Sequence, residues 1–214
     1  MIFSFRPQIA LLMKLLLASK SPRRQQLITQ LGFEVQCVTL NADETVAASL
    51  PADQVAEAIA RKKADAFDRS ALAPDQVLVT ADTIVVVDGR VLGKPSSRTD
   101  AIAMLGSLSG RAHTVYTGVC LVCGDRQTSF TESTEVYFNH LEKSDIEWYV
   151  DNYSPYDKAG AYGVQEWMGM VAVSRIEGCF YNVMGLPTPR LYAELLRFCP
   201  EAAVAKKKSA RPRQ

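Results

Sequence analysis

Asp82 is the residue around which chemistry can be built. It stands in Leu78-Val79-Thr80-Ala81-Asp82-Thr83-Ile84-Val85-Val86-Val87, a β-branched run that predicts a strand covered on both faces. A carboxylate in such a strand carries a desolvation cost, relieved by protonation or by a cation held against it, and both solutions concentrate at working sites. An Asp hydrogen-bonded at a bulge is the plainer alternative. Asp88-Gly89 predicts a tight turn that folds the chain back, so that Lys94, just ahead of Pro95, approaches the strand carrying Asp82. Upstream, Ser19-Lys20-Ser21-Pro22-Arg23-Arg24 opens a helix: Ser21 suits the N-cap and Pro22 the first helical position. Two arginines in a first turn oppose the helix dipole, which makes local sense when an anion binds there; two solvated arginines beside a capped helix are the other reading. Glu44, in the polar stretch Asn41-Ala42-Asp43-Glu44, is a metal ligand or a loop carboxylate, and Lys63 lies within a helical segment where most lysines are only solvated. Carboxylates, arginines and lysines gathered at element ends suit phosphoryl chemistry, in which cations hold phosphate oxygens and a carboxylate orients or deprotonates a water.

Other chemistries are excluded cheaply. Only His113 and His140 are present, both in or beside strands, which leaves no serine-type triad and no multi-His zinc site. Gly89-Arg90-Val91-Leu92-Gly93-Lys94 has its glycines one residue too close for a P-loop, and Pro95 stands where Ser or Thr belongs. Cys120-Leu-Val-Cys123 has redox or zinc spacing but lies in an alternating strand, where positions three apart point to opposite faces. The five cysteines are scattered, so reduced thiols in a cytoplasmic protein are expected. Positions 1–200 carry 19 basic and 22 acidic residues, a net −3, which offers no groove for extended nucleic acid. The apolar run near the start is too short for a membrane span or an export signal and leads directly into a strand.

The elements that must position these residues alternate β and α. A first strand at 15–18 is followed by the helix at 22–31, closed by Gly32, and by a strand at 35–40. A helix at 51–68 precedes the Asp82 strand. Another at 97–108, with Ile102, Leu105 and Leu108 inward, precedes two long strands, 113–122 and 128–138, paired antiparallel through Gly124-Asp125. A helix at 144–152, a Gly-rich loop at 153–169, a strand at 170–176 and a last helix opened by Thr188-Pro189 complete the order. One α/β domain around a long, twisted mixed sheet is expected over 14–200, with 1–13 a non-structural leader and 201–214 a disordered basic tail.

Taken together, Ser19-x-Ser21-Pro22-Arg23-Arg24, Ala81-Asp82-Thr83, Gly93-Lys94-Pro95 and Asp157-Lys158-Ala159-Gly160-x-Tyr162-Gly163-x-Gln165 resemble the Maf family of nucleoside triphosphate pyrophosphatases over residues 14–198. The resemblance implies an elongated two-lobed α/β fold with a central cleft, similar to inosine triphosphate pyrophosphatases. It also implies hydrolysis between the α and β phosphates, releasing a monophosphate and diphosphate with a divalent metal, Mg or Mn. Carried over, it makes Asp82 the proton acceptor, places Arg23, Thr83 and Gln165 where the family discriminates bases, and places Ser19, Arg24, Lys63 and Lys94 at phosphates. Glu44 and Asp82 fall at metal-contacting positions. The late motif is similar to the branch acting on dTTP and UTP, with modified pyrimidine nucleotides within the same reading. The 7-methyl-GTP branch is one alternative and a non-catalytic nucleotide-binding regulator of cell division another, since the family is linked to restraint of septum formation. A homodimer is one arrangement open to it. Glu166-Trp167-Met168 departs from the smaller, Gly-containing run usual in the pyrimidine branch, which bears on the width of the base pocket.

Overall fold

The computed structural model describes residues 13–200; the expected leader through residue 12 and the basic tail at 201–214 lie outside the described residues. Met13, counted in the expected leader, is instead fully buried with Leu15 and Leu17 in the core.

The chain runs β1 (Lys14–Ala18), α1 (Pro22–Gln30), β2 (Glu34–Val38), α2 (Ala52–Asp65), β3 (Gln76–Val87), β4 (Arg90–Leu92), α3 (Arg98–Leu108), β5 (Ala112–Cys123), β6 (Arg126–Phe138), α4 (Lys143–Tyr153), α5 (Trp167–Ala172), β7 (Val173–Glu177), α6 (Phe180–Val183) and α7 (Thr188–Phe198). The strands form one seven-stranded mixed sheet in the order β2-β1-β3-β5-β6-β7, with β4 paired to β3. β1 is parallel to β2 and β3, and the remaining pairs are antiparallel. Apolar clusters form on both sides of the sheet: on one face α1 and α7 cover β1 and β3 while α3 and α4 cover the far ends of β3 and β5, and on the other face α2 packs on the even positions of β3. Among the described residues no helix is long and apolar enough to cross a membrane.

Local chemistry explains most of the boundaries. Ser21 accepts from Arg24 N and Pro22 sits at the first helical position of α1, while Gly32, at φ 84°, takes the left-handed conformation past its end. Asp88 and Gly89, at φ 50° and 73°, form the two-residue turn between β3 and β4, whose backbone twist matches that of the strands. Two segments differ from the expectation. Residues 170–172, read as the start of a strand, complete α5, and β7 begins only at Val173. The expected loop at 153–169 contains two short 3₁₀ turns and the first residues of α5. The helix packs by Met168 and Ala172 into the core, and its Gly169 lies against the Val164 carbonyl with no room for a Cβ. The short α6 has no sequence signature of its own and is held by Asn182, whose Nδ2 donates to Val115 O and Thr134 Oγ1.

Two features of the sheet position the site. First, β5 pairs with β3 over residues 78–86, but on its opposite edge β1 ends across from Thr80 and β4 ends across from Val85. Residues 81–84 therefore have a strand on one side and a gap on the other. Second, α2 lies directly on Gly118, the cross-strand neighbour of Asp82: a Cβ there would be 2.2 Å from Glu57 N. Thr80 pins the same helix by donating from Oγ1 to Ala60 O at 2.6 Å.

Candidate active site

The gap in the sheet is the mouth of a cavity of about 300 Å³. Because successive side chains of a strand point to opposite faces, Asp82 faces α2 and Thr83 faces α1 and α6, yet the missing strand lets both line one cavity. The structure places all nine sequence-derived candidates there: Ser19, Arg23, Arg24, Glu44, Lys63, Asp82, Thr83, Lys94 and Gln165.

On the α2 face, Lys63 Nζ lies 2.7 Å from Asp82 Oδ1 and 3.2 Å from Glu44 Oε1. The close approach of α2 over Gly118 brings this lysine down, and both Lys63 and Asp82 are largely enclosed, at 14% and 15% side-chain exposure. Asp82 Oδ2 and the Lys94 ammonium have no protein partner among the described residues. Ser19 Oγ accepts from Ser21 N at 3.2 Å, at the entrance to α1. No three His, Cys, Asp or Glu side chains converge as a metal site among the described residues. Two carboxylates do converge on one cationic atom, Lys63 Nζ, and a pair of carboxylates completed by phosphate oxygens is the donor set that suits a magnesium-like ion.

On the opposite face, the two adjacent arginines separate. Arg24 donates to Gly185 O, Ala81 O and Thr83 Oγ1 at 2.8, 3.0 and 2.8 Å, so three of its five N–H groups brace the open strand edge. Burial pulls its pKa below the ordinary guanidinium value, with the Asp82 charge opposing. Thr117 Oγ1 donates to Asn182 O, which leaves it to accept from Thr83 at 2.9 Å. Thr83 thus receives Arg24 and has Thr117 Oγ1 and Gly185 O, at 2.9 and 3.4 Å, as acceptors for its own proton, so it meets a ligand as an acceptor or through its methyl group. Arg23 instead reaches Asp157 Oδ2 at 2.7 Å. Gln165 is exposed at the cavity and its amide has no protein partner among the described residues.

Sequence reasoning gave no role to a charged group behind these residues. Lys158, buried, contacts Asp157 Oδ1 at 2.8 Å and Glu166 Oε1 at 3.1 Å. Burial pushes the Asp157 carboxyl up, but the bonds from Lys158 and Arg23 outweigh it and leave it below the ordinary value. Glu166 Oε2 accepts from Tyr149 at 2.6 Å. The one signal in the sequence was that Glu166 is out of place for the family pattern.

The "Maf-like protein" family model matches residues 14–198. The dTTP/UTP pyrophosphatase of Bacteroides thetaiotaomicron is 51% identical over 183 residues, covering 85% of this chain and 94% of its own. The proteins of the same name from Bacteroides fragilis and Porphyromonas gingivalis (strain ATCC 33277) are 50% and 45% identical, covering 85% and 86% of this chain and 94% of each. The Staphylococcus aureus Ham1 protein structure aligns with a TM-score of 0.40 at 13% identity, over 58% of this chain and 71% of that one, too slight an overlap to add to the fold.

Proposed function

Because the chain belongs to the Maf-like protein family, we infer that its cleft is that of a nucleoside triphosphate pyrophosphatase hydrolysing dTTP and UTP to the monophosphate and diphosphate. The observation that carries the reading is the Lys63 ammonium held between Asp82 and Glu44 in a cavity that also contains unpaired Lys94.

In the reaction proposed, a water oxygen bonds to the α phosphorus as the bond to the bridging oxygen breaks, and diphosphate leaves with that oxygen. Asp82 accepts the water proton at Oδ2, since Oδ1 is engaged by Lys63. Lys94, Ser19 and the Arg23 backbone N–H, the first-turn donor of α1 that the capping Ser21 does not take, hold phosphate oxygens, a task suited to a helix start. A divalent cation, Mg or Mn, is proposed on Glu44 and Asp82, where it would neutralise charge on the phosphates. Arg24 keeps the strand edge rigid beneath the nucleotide.

Base choice belongs to the opposite face. Thymine and uracil present two carbonyls flanking an imide N–H. Thr83 offers an acceptor, Arg23 donors, and the Gln165 amide both, a complementary set. A cytoplasmic location is proposed from the five free thiols together with a nucleotide substrate. The test is a panel of nucleoside triphosphates, 7-methyl-GTP included, assayed for diphosphate with and without divalent metal. Highest kcat/KM on dTTP and UTP, dependent on metal, is expected; phosphate as product, binding without turnover, or a preference for 7-methyl-GTP overturns the reading.

A further inference from the structure

We propose that Glu166 is a positioning residue for base selection, fixing Gln165 directly and Arg23 through a chain of charges. The inference rests on the pyrimidine-pyrophosphatase reading of the cleft and adds a determinant outside the residues that face the base.

Residues 163–166 form a turn closed by Glu166 N donating to Gly163 O at 3.0 Å. Both ends are also fastened to one hydroxyl: Tyr149 Oη accepts from Gly163 N at 3.2 Å and donates to Glu166 Oε2 at 2.6 Å. Tyr149 is fully buried, so this anchor belongs to the core. Of the two central residues, Val164 points into the core and Gln165 points outward at the cavity. The Glu166 carboxylate lies hard against the backbone at 163, where an added Cβ would come within 2.8 Å of its Cδ. Just upstream, Gly160 and Ala161 take left-handed backbone at φ 68° and 60°, a conformation that costs a non-glycine residue free energy and persists only where its surroundings enforce it. Gln165 is therefore a free amide on a rigid mount.

The second carboxylate oxygen extends the mount. Glu166 contacts Lys158, Lys158 contacts Asp157, and Asp157 contacts Arg23, at 3.1, 2.8 and 2.7 Å. Charges alternate along this chain, so each member is held by an opposite neighbour; Lys158 and Glu166 are largely enclosed, at 9% and 21% exposure, where such bonds are strong, while Asp157 is half exposed and carries the weaker link to Arg23. The two base-reading residues that lie outside the sheet, Arg23 and Gln165, stand at its two ends. Thr83, the third, is fixed separately by Arg24 and Thr117.

The experiment compares wild type, Glu166→Ala, Glu166→Gln and Tyr149→Phe on dTTP, UTP, CTP and GTP, with thermal melting alongside. For Glu166→Ala, KM for dTTP and UTP should rise about tenfold, the loss of roughly one well-made polar contact, while kcat and the values for CTP and GTP change much less. Glu166→Gln retains an acceptor for Tyr149 and should recover part of the preference. Tyr149→Phe should narrow it in the same direction. If all four substrates lose kcat/KM equally, or if the ranking of substrates survives in both Glu166→Ala and Tyr149→Phe, the positioning role is overturned. Should Glu166→Ala fail to fold, Glu166→Gln and Tyr149→Phe decide by the same criterion. A wild-type enzyme that does not turn over dTTP and UTP would overturn the pyrimidine reading first and this inference with it, a result distinct from an unchanged ranking in an active enzyme.

Discussion

Replacing Gly118 by alanine tests the link between packing and catalysis. The added methyl would lie 2.2 Å from Glu57 N and 2.3 Å from Ala56 C, where ordinary contacts begin at 3.4 Å. Both obstacles are helix backbone, which has no side-chain rotamer to yield, so α2 must retreat by about 1 Å or the strand must bow. Overpacking of this kind costs about 1–3 kcal/mol, and for a domain of this size each kcal/mol lowers Tm by about 2–4 °C. The same shift acts on the site because Lys63 rides on α2. Moving it about 1 Å from Asp82 takes the 2.7 Å contact beyond hydrogen-bond range, and displacement on that scale at a reacting centre costs about 10²-fold in rate. The measurements are a melting curve and kcat/KM on dTTP. A variant that melts as wild type does would refute the packing argument. One that melts lower but turns over normally would refute the dependence of Asp82 on Lys63.

Asp82→Asn should keep the fold and nucleotide binding while kcat falls about 10²–10⁴-fold, as expected on removing a general base; near-normal single-turnover rates would make the residue structural. Gln165→Ala should lower kcat/KM on dTTP and UTP and leave CTP and GTP nearly unchanged, whereas a uniform loss across the four would assign Gln165 to loop bracing. His113 supplies a pH dependence: burial lowers its pKa from 6.5 to about 4, and its ring, bonded to Tyr162 at Nε2, has no partner at Nδ1 among the described residues. Between those values the unfolded chain binds a proton that the folded chain does not, so stability should fall by about 3 kcal/mol as pH drops from 6.5 to 4. Urea titrations at the two pH values check this, and His113→Phe should remove that part of the slope.

The legible parts of the fold were those with a local cause. Ser21, Pro22 and Gly32 delimit α1, and Asp88-Gly89 makes the β3–β4 turn, through backbone preferences that hold in any context. α5 and α6 were not legible, because six and four residues with no capping side chain are helical only through what they pack against. Nor was the gap in the sheet, since it depends on where β1 and β4 stop relative to β3. The cavity's membership could be read residue by residue, but not its internal division: Arg23 and Arg24 are equivalent forks in the sequence, and only the folded chain sends one to Asp157 and the other to the strand edge. Lys63 had no local feature to distinguish it from a solvated helical lysine; Gly118, distant in sequence, brings it to Asp82.

The gap in the sheet makes β3 a two-track element. On the proposed function, hydrolysis is addressed through the even positions and selection through the odd ones, with Asp82 and Thr83 as consecutive letters of the same strand. The tracks tolerate substitution independently, so base preference can drift by exchanges at 83 and its companions on that face while the hydrolytic face stays silent. They do not tolerate changes of length independently. One residue inserted between Gln76 and Asp82 would turn the carboxylate toward Arg24 and the hydroxyl toward Lys63, whereas two would restore both orientations and displace them together along the gap. Variation in this strand is therefore confined to point exchange, and the spacing from β1 to Asp82 is held by parity.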